Sequence, residues 1–224
     1  MAGLCYNGGM RRKNEGNNVK VLMINGSPHK AGCTFTALTE VGEELQRQGV
    51  EYEIRHIGNK PIHGCQACNA CFKIGTCVFD DDPCNELREA IKAADGLVVG
   101  SPVYYAGPNG ALCALLDRVF YSSMGGFALK PAAAVVSCRR GGNSASFDRL
   151  NKYFTISNMP VVSSQYWNMV HGFTPEDVKK DLEGLQTMRV LARNMAWMLK
   201  NFAAGKTAVP LPEQEEWVMT NFID

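Results

Sequence analysis

Hydrophobic and polar positions along the chain fall into runs of two periods. Val19 to Ile24, V-K-V-L-M-I, is a short apolar run rich in branched residues and reads as a buried strand. It stops at Asn25-Gly26-Ser27-Pro28, a turn sequence. Past Gly32, the residues Phe35, Leu38, Val41 and Leu45 recur at three- and four-residue steps, so a helix follows. Gly49 is a helix stop, and Val50 to Ile57 alternates as a second strand. Gly58 to Pro83 shows neither period, and an irregular segment this long in a compact domain is functional or disordered. Helical spacing returns at Cys84 to Ala94, at Ala111 to Phe120 and at Phe147, Leu150 and Phe154. Asp95 to Gly100, Pro131 to Ser137 and Met159 to Ser163 read as strands three, four and five. Thr174-Pro175-Glu176-Asp177 is a helix start that predicts one helix running to about Phe202. Its stripe of Leu182, Leu185, Met188, Leu191, Met195 and Met198 faces the core, with a subunit contact as the alternative.

Strands alternating with helices predict a parallel sheet with right-handed crossovers. In a doubly wound sheet of order 2-1-3-4-5, a ligand sits at the carboxyl ends of strands one and three, where the winding reverses. The loops that follow strands one, three and four are the ones with unusual residues. Free backbone N–H groups where Ser27–Thr36 enters its helix make an anion site, and the hydroxyls of Ser27, Thr34 and Thr36 add donors. The loop lacks the Lys-Ser/Thr of a P-loop and the G-x-G-x-x-G of a dinucleotide fold. By itself it fits an ordinary connection equally well. The Tyr-rich Val103–Gly107 segment facing it tips the balance towards a phosphate with a flat ring attached, as in a mononucleotide.

Composition narrows the class. A chain of 224 residues holds one α/β domain with a full core, and a formal charge of +1 gives no reason to expect nucleic acid or an anionic membrane as partner. No apolar run is long enough to span a bilayer. Residues 1–18 are Gly/Asn-rich, with Arg11-Arg12-Lys13 at their centre, and lack the apolar core of an export signal. They are expected to be a mobile arm ahead of a single domain over 19–224, in a cytoplasmic protein. Nine cysteines without an export signal point to metal or redox use rather than disulfides. Cys65, Cys68, Cys71 and Cys77 lie as C-x2-C-x2-C-x5-C, a spacing that leaves three readings: a [4Fe–4S] cluster, four free thiols in a loop, and Zn²⁺ behind both. His63 is expected to be a solvated loop residue. Cys84 and Cys113 are expected to pack as small apolar groups.

Three motifs carry a resemblance. N-G-S-P-x4-C-T, then G-S-P-V-Y-Y-A-x-P-N-G-A-x3-L-L-D-R, then S-C-R-R-G-G-N-S are similar to the NADPH-dependent FMN reductase family, over roughly Val19 to Trp167. The resemblance implies a flavodoxin-like three-layer sandwich with a five-stranded parallel sheet of order 2-1-3-4-5. It implies bound FMN, NAD(P)H as electron donor, and a homodimer or homotetramer with FMN near a subunit boundary. Matched residue by residue, Ser27, His29, Cys33, Thr34 and Phe35 fall in the family's phosphate loop. Pro102, Val103, Tyr104 and Tyr105 fall beside the flavin ring, and Ser137, Arg139, Gly141 and Gly142 in the loop over its polar edge. Asp117-Arg118 matches a helix end that ties down loops. Cys33 sits where a helix dipole lowers a thiol pKa, but a neighbouring phosphate opposes this and Cys33 is not expected to be a nucleophile. No side chain is expected to be catalytic, because a flavin carries the hydride and electron chemistry. The four-cysteine stretch resembles that of iron–sulfur flavoproteins, where a cluster passes electrons to FMN. The leading expectation is an oxidoreductase that reduces a small acceptor such as a quinone, flavin, azo compound or metal ion. The alternative is an electron carrier exchanging with a ferredoxin-like partner. A redox- or metal-sensing module, resting on the nine cysteines alone, is the third.

Overall fold

The computed structural model describes residues 19–213 together with 215, 218 and 220; the arm expected over 1–18 lies outside them. The first apolar run forms β1 (Lys20–Asn25), and its residues divide by parity between the two faces of the sheet. Leu22 and Ile24 join one buried cluster, Val21 and Met23 the other. The strands β2 (Glu51–His56), β3 (Gly96–Tyr104), β5 (Ala132–Cys138) and β6 (Met169–His171) run parallel to β1, in the order β2-β1-β3-β5-β6. Counted as main strands this is the predicted 2-1-3-4-5 order.

Helices cover both faces. The apolar stripe of α1 (Cys33–Arg47), with Ala37, Leu38, Val41 and Leu45, packs beside α7 (Leu182–Gly205) on the face that carries Val21 and Met23. The two helices are tied by Arg193 Nε, which donates to Glu44 Oε1 at 2.7 Å, and by an Arg189–Glu40 pair. The opposite face is covered by α3 (Cys84–Ala93), α4 (Gly110–Ser123) and α5 (Asn143–Ile156), through Leu87, Ile91, Leu112, Leu115, Leu150 and Phe154. The result is the predicted three-layer sandwich.

Three expectations need correction. β3 continues past Gly100 and folds back as β4 (Gly107–Pro108), because Tyr105 and Ala106, at φ 50° and 57°, form a two-residue turn with both central residues left-handed. The fifth strand is split. Ala132 N donates to Pro160 O and Val162 N to Ala132 O, so the predicted Met159–Ser163 segment makes a single bridge. The chain then leaves the edge, where Ser164 Oγ donates to Thr187 O at 2.7 Å, and returns to pair as β6. The helix expected from Pro175 to Phe202 is also two. Its predicted start is a capping box of Thr174 and Asp177 on α6 (Pro175–Val178). The chain then breaks because the Asp181 carboxylate caps α7, accepting from Gly184 N at 2.9 Å. A Cβ at Gly184 would lie 2.4 Å from that carboxylate, so glycine permits the approach. In the α7 stripe Met188, Leu191 and Met195 are buried, Leu185 and Met198 partly so, and Leu182 is exposed.

Candidate functional site

The carboxyl ends of β1, β3 and β5 bring three loops together. The β1 loop is shaped by Asn25, whose Oδ1 accepts from Ser27 N at 3.1 Å and whose Nδ2 donates to Lys30 O at 3.1 Å. Ser27 is buried, and its Oγ accepts from His29 N at 3.1 Å, while the His29 ring is exposed. Gly26 N donates to Gly100 O at 2.8 Å, which locks this loop to β3. A Cβ at Gly26 would lie 2.8 Å from the same carbonyl, so only glycine allows the contact. From the far side Asn109, the N-cap of α4, donates Nδ2 to Gly26 O at 2.7 Å.

The loop delivers the chain into α1 with its first amides uncovered. Gly32 stands at the N-cap, no side chain caps the helix, and its first turn holds no acid. A helix of 15 residues ending so presents aligned N–H donors and the positive end of its dipole. Asn109, Thr174 and Asp181 cap α4, α6 and α7 with side chains, whereas α1, like α3 and α5, has no side-chain cap. Thr34 is buried, and its hydroxyl is 2.8 Å from that of Ser137 on β5, so it ties the loops together instead of facing outward. Cys33 Sγ donates to Gly172 O at 3.7 Å. Burial pushes the Cys33 thiol up, the helix amide opposes this, and Asp177 and Glu176 add to the rise.

The other two loops form the walls. Pro102 and Val103 are half-buried at the end of β3, with Tyr104 and Tyr105 exposed beyond them. Gly142, at φ 86°, begins α5 and packs so close that a Cβ would lie 2.7 Å from Ala106 Cα and 3.1 Å from Val103 Cγ1. The β3–β4 hairpin and the Arg139–Gly142 loop are therefore in contact. Arg139 and Gly141 remain exposed. Beyond Arg139, a depression of about 630 Å³ is lined by His171, Gly172, Phe173 and Asp177.

The cysteine loop leaves β2 beside this edge. His56 Nε2 lies 2.7 Å from Ser27 O, and Ile57 N donates to Asn25 O, so the β1–α1 loop and the start of the cysteine loop are joined. Cys65, Cys68, Cys71 and Cys77 all line one small cavity. Cys65 and Cys68 are exposed, Cys77 is half-buried, and Cys71 opens the short α2 (Cys71–Ile74) from a buried position. Between them the backbone turns left-handed at Ala67 (φ 51°) and Asn69 (φ 58°), conformations uncommon outside glycine, which curl the chain around the thiols. Two helices pin this curl. Asn85 of α3 clasps the Cys77 backbone at both N–H and C=O, at 2.9 and 3.0 Å. Arg118 of α4 donates Nε to Cys77 Sγ at 3.2 Å, and Tyr121 donates to Asn69 Oδ1 at 2.7 Å. Among the described residues no three His, Cys, Asp or Glu side chains are placed to hold a single metal ion. His63 is half-exposed and stacks on Phe79 at 4.9 Å, as a loop residue. Cys84 is buried, and burial pushes its thiol up to about 12.

Sequence reasoning did not single out Asn25 and Asn109, although both stand in the turn motifs N-G-S-P and P-N-G. It placed Arg118 as a loop tie but missed its contact with a cysteine sulfur.

Comparison with known proteins follows the same lines. The model of the NADPH-dependent FMN reductase family matches residues 19–174. An iron–sulfur flavoprotein of Methanocaldococcus jannaschii is 33% identical over 191 residues, covering 81% of this chain and 98% of the relative. RosB, solved with 8-demethyl-8-formylriboflavin-5′-phosphate bound, superposes with a TM-score of 0.65 at 14% identity, over 91% of this chain and 92% of its own. A WrbA-like flavodoxin from Agrobacterium tumefaciens superposes with a TM-score of 0.56 at 17% identity, over 83% and 99%. The fold is flavodoxin-like.

Proposed function

Because the chain belongs to the NADPH-dependent FMN reductase family, and is an oxidoreductase of flavodoxin-like fold, we propose that it takes electrons from NAD(P)H and passes them through FMN to a small acceptor. The observation that carries this reading is the bare N-terminus of α1, set between two loops that touch each other at Gly142 and Ala106. FMN, when bound, supplies the hydride and electron chemistry. The protein's part is to bind and orient.

In this reading the amides of Cys33, Thr34 and Phe35 receive the phosphate, with His29 at the rim. Ser27, Thr34 and Ser137 act by holding the loops, since all three are buried. Pro102, Val103, Tyr104 and Tyr105 flank the ring on one side. The Arg139–Gly142 loop offers backbone amides and a guanidinium to its polar edge, where negative charge grows on reduction. The acceptor is a quinone, flavin, azo compound or metal ion. The apolar residues that α7 leaves exposed, Trp197 among them, fit a subunit contact in a homodimer or homotetramer.

The cysteine loop extends the proposal. Four thiols around one cavity and a chain curled by left-handed residues support a [4Fe–4S] cluster, with Zn²⁺ behind it. The family relative in M. jannaschii bears the name iron–sulfur flavoprotein. One helix braces both places: Asn109 at the start of α4 holds the phosphate loop, and Arg118, about 14 Å further along, holds Cys77. That frame favours a second reading, a carrier that exchanges single electrons with a ferredoxin-like protein.

Anaerobic purification with flavin, iron and sulfide counts, followed by stopped-flow mixing with NADH, NADPH and reduced ferredoxin, tests the proposal. FMN at one per chain and rapid bleaching by NAD(P)H support the enzyme. Bleaching by ferredoxin alone turns the assignment to the carrier. A folded chain that binds no FMN rejects both.

A further inference from the structure

We propose that Arg118 is the residue that positions Cys77 as the fourth cluster ligand and sets the potential of the cluster. This rests on the cluster reading given above.

Arg118 is buried on α4, and each of its donor nitrogens is spoken for within the cysteine loop. Nε donates to Cys77 Sγ at 3.2 Å. Nη1 donates to His63 O at 3.3 Å and pairs with the Asp82 carboxylate, and Nη2 donates to Phe79 O at 2.9 Å. The guanidinium thus joins the chain just before the first cysteine to the chain just after the last, and touches a sulfur between them. Its carbon stands 5.2 Å from the Phe79 ring centre, on which His63 also stacks.

A plain structural clamp would not need the sulfur contact. Burying an arginine and an aspartate together costs desolvation that a pair of apolar residues would avoid. What the pair adds is a fixed N–H dipole and a guanidinium on one thiol. Reduction adds one electron's charge to a cluster and its sulfurs, and a hydrogen bond to a ligating sulfur stabilises that charge. The contact therefore raises the reduction potential, while the Asp82 carboxylate, on the guanidinium's other side, limits the rise.

The test uses the full chain, reconstituted anaerobically with ferrous iron and sulfide, and measures FMN content, iron content and cluster potential by spectroscopic titration. The Arg118→Met/Asp82→Asn double variant keeps the net charge and leaves no N–H donor at position 118 to reach the sulfur. The expected result is unchanged FMN with the cluster equilibrium shifted about tenfold towards the oxidised form, ~59 mV for one electron. Iron lost from this variant while FMN is retained equally supports the positioning role. Full iron at an unchanged potential overturns the proposal. Should the double variant fail to fold, Asp82→Asn alone decides. It leaves the guanidinium uncompensated, so the potential must rise, and an unmoved potential rejects the assignment. Wild-type chain that takes up no iron overturns the cluster reading and this one with it, and is distinct from a defect confined to the variants.

Discussion

Thr34 and Ser137 meet through their hydroxyls at 2.8 Å, both buried, although 103 residues separate them. One opens α1 and the other lies near the end of β5, so this bond fixes the spacing between the β1–α1 loop and the Arg139–Gly142 loop. Thr34→Val keeps the shape and leaves the Ser137 hydroxyl without its partner, which costs about 1–3 kcal/mol. The Thr34→Val/Ser137→Ala double variant should recover about 1 kcal/mol of that, as a coupled pair does. Urea melts of the four proteins measure the coupling; strictly additive losses would show that the hydroxyls do not act together.

The bare first turn of α1 predicts effects of opposite sign. Thr36→Glu places a carboxylate at the positive end of the dipole, worth about 0.3–1 kcal/mol to the FMN-free protein. The same carboxylate opposes a phosphate and should weaken FMN binding about tenfold or more at low salt. A fluorescence titration and a melt of the flavin-free protein read both. A variant that loses stability and keeps its FMN affinity would contradict an anion site there.

Much of the fold was legible because each core strand is a run of Val, Ile, Leu or Ala between turn residues, and each helix repeats its apolar positions. Three boundaries were not. β3 runs past Gly100 into a hairpin whose central pair, Tyr105-Ala106, is not one this turn favours. The edge strand begins at Pro160, leaves the sheet and returns at Met169, and only its first half has an apolar run. The break before α7 depends on where the Asp181 carboxylate points, and pattern does not carry that. At the candidate site, the motifs named loops that the fold brings together at one edge of the sheet, but not the direction of each side chain. Thr34 falls in the phosphate motif yet turns inward to Ser137. The link from Arg118 to Cys77 spans 41 residues and that to His63 spans 55, beyond any local spacing rule.

The hairpin tip stores backbone strain at two adjacent residues, one of them open to solvent and the other packed on Gly142. Tyr105 is fully exposed, and it and Ala106 both sit in the left-handed region. Asn-Gly is the pair that this turn prefers. Tyr105→Asn/Ala106→Gly should therefore stabilise the protein by about 1–2 kcal/mol, seen as a higher denaturation midpoint. If Tyr105 covers the ring or the acceptor, KM for NAD(P)H or acceptor should rise in the same variant. An unchanged KM would make the tip a neutral turn.

Glu44 predicts a dependence on acid. Burial alone would raise its pKa, but hydrogen bonds from Arg193, Gln48 and Arg47 outweigh this and hold the carboxyl at about 2. A carboxyl depressed in the folded state stabilises above its unfolded value of about 4.5. That stability is lost as pH falls from about 4.5 towards 2. Solvent around the two arginines screens the pair, so the contribution is about 1–2 kcal/mol. Glu44→Gln should lower stability at pH 7 and flatten the fall below pH 4.5. A variant whose acid limb matches the parent's would place the titration elsewhere.

The cysteine loop gives the prediction with the widest consequence. Cys71 is the buried member of the four and opens α2, while Cys65 and Cys68 face solvent. A cluster held this way is open on one side, so air should release its iron while the FMN, bound by other loops, stays. Visible absorbance during exposure separates the two, because the broad iron–sulfur band fades under a persisting flavin spectrum. Cys71→Ser removes a thiolate at the most enclosed corner and should abolish iron binding with the FMN content intact. Loss of flavin along with iron would mean that the loop supports the phosphate site through His56 and Ser27 and is not a separate centre. Parent protein that holds no stoichiometric iron after anaerobic reconstitution would leave a thiol-rich loop beside an FMN reductase.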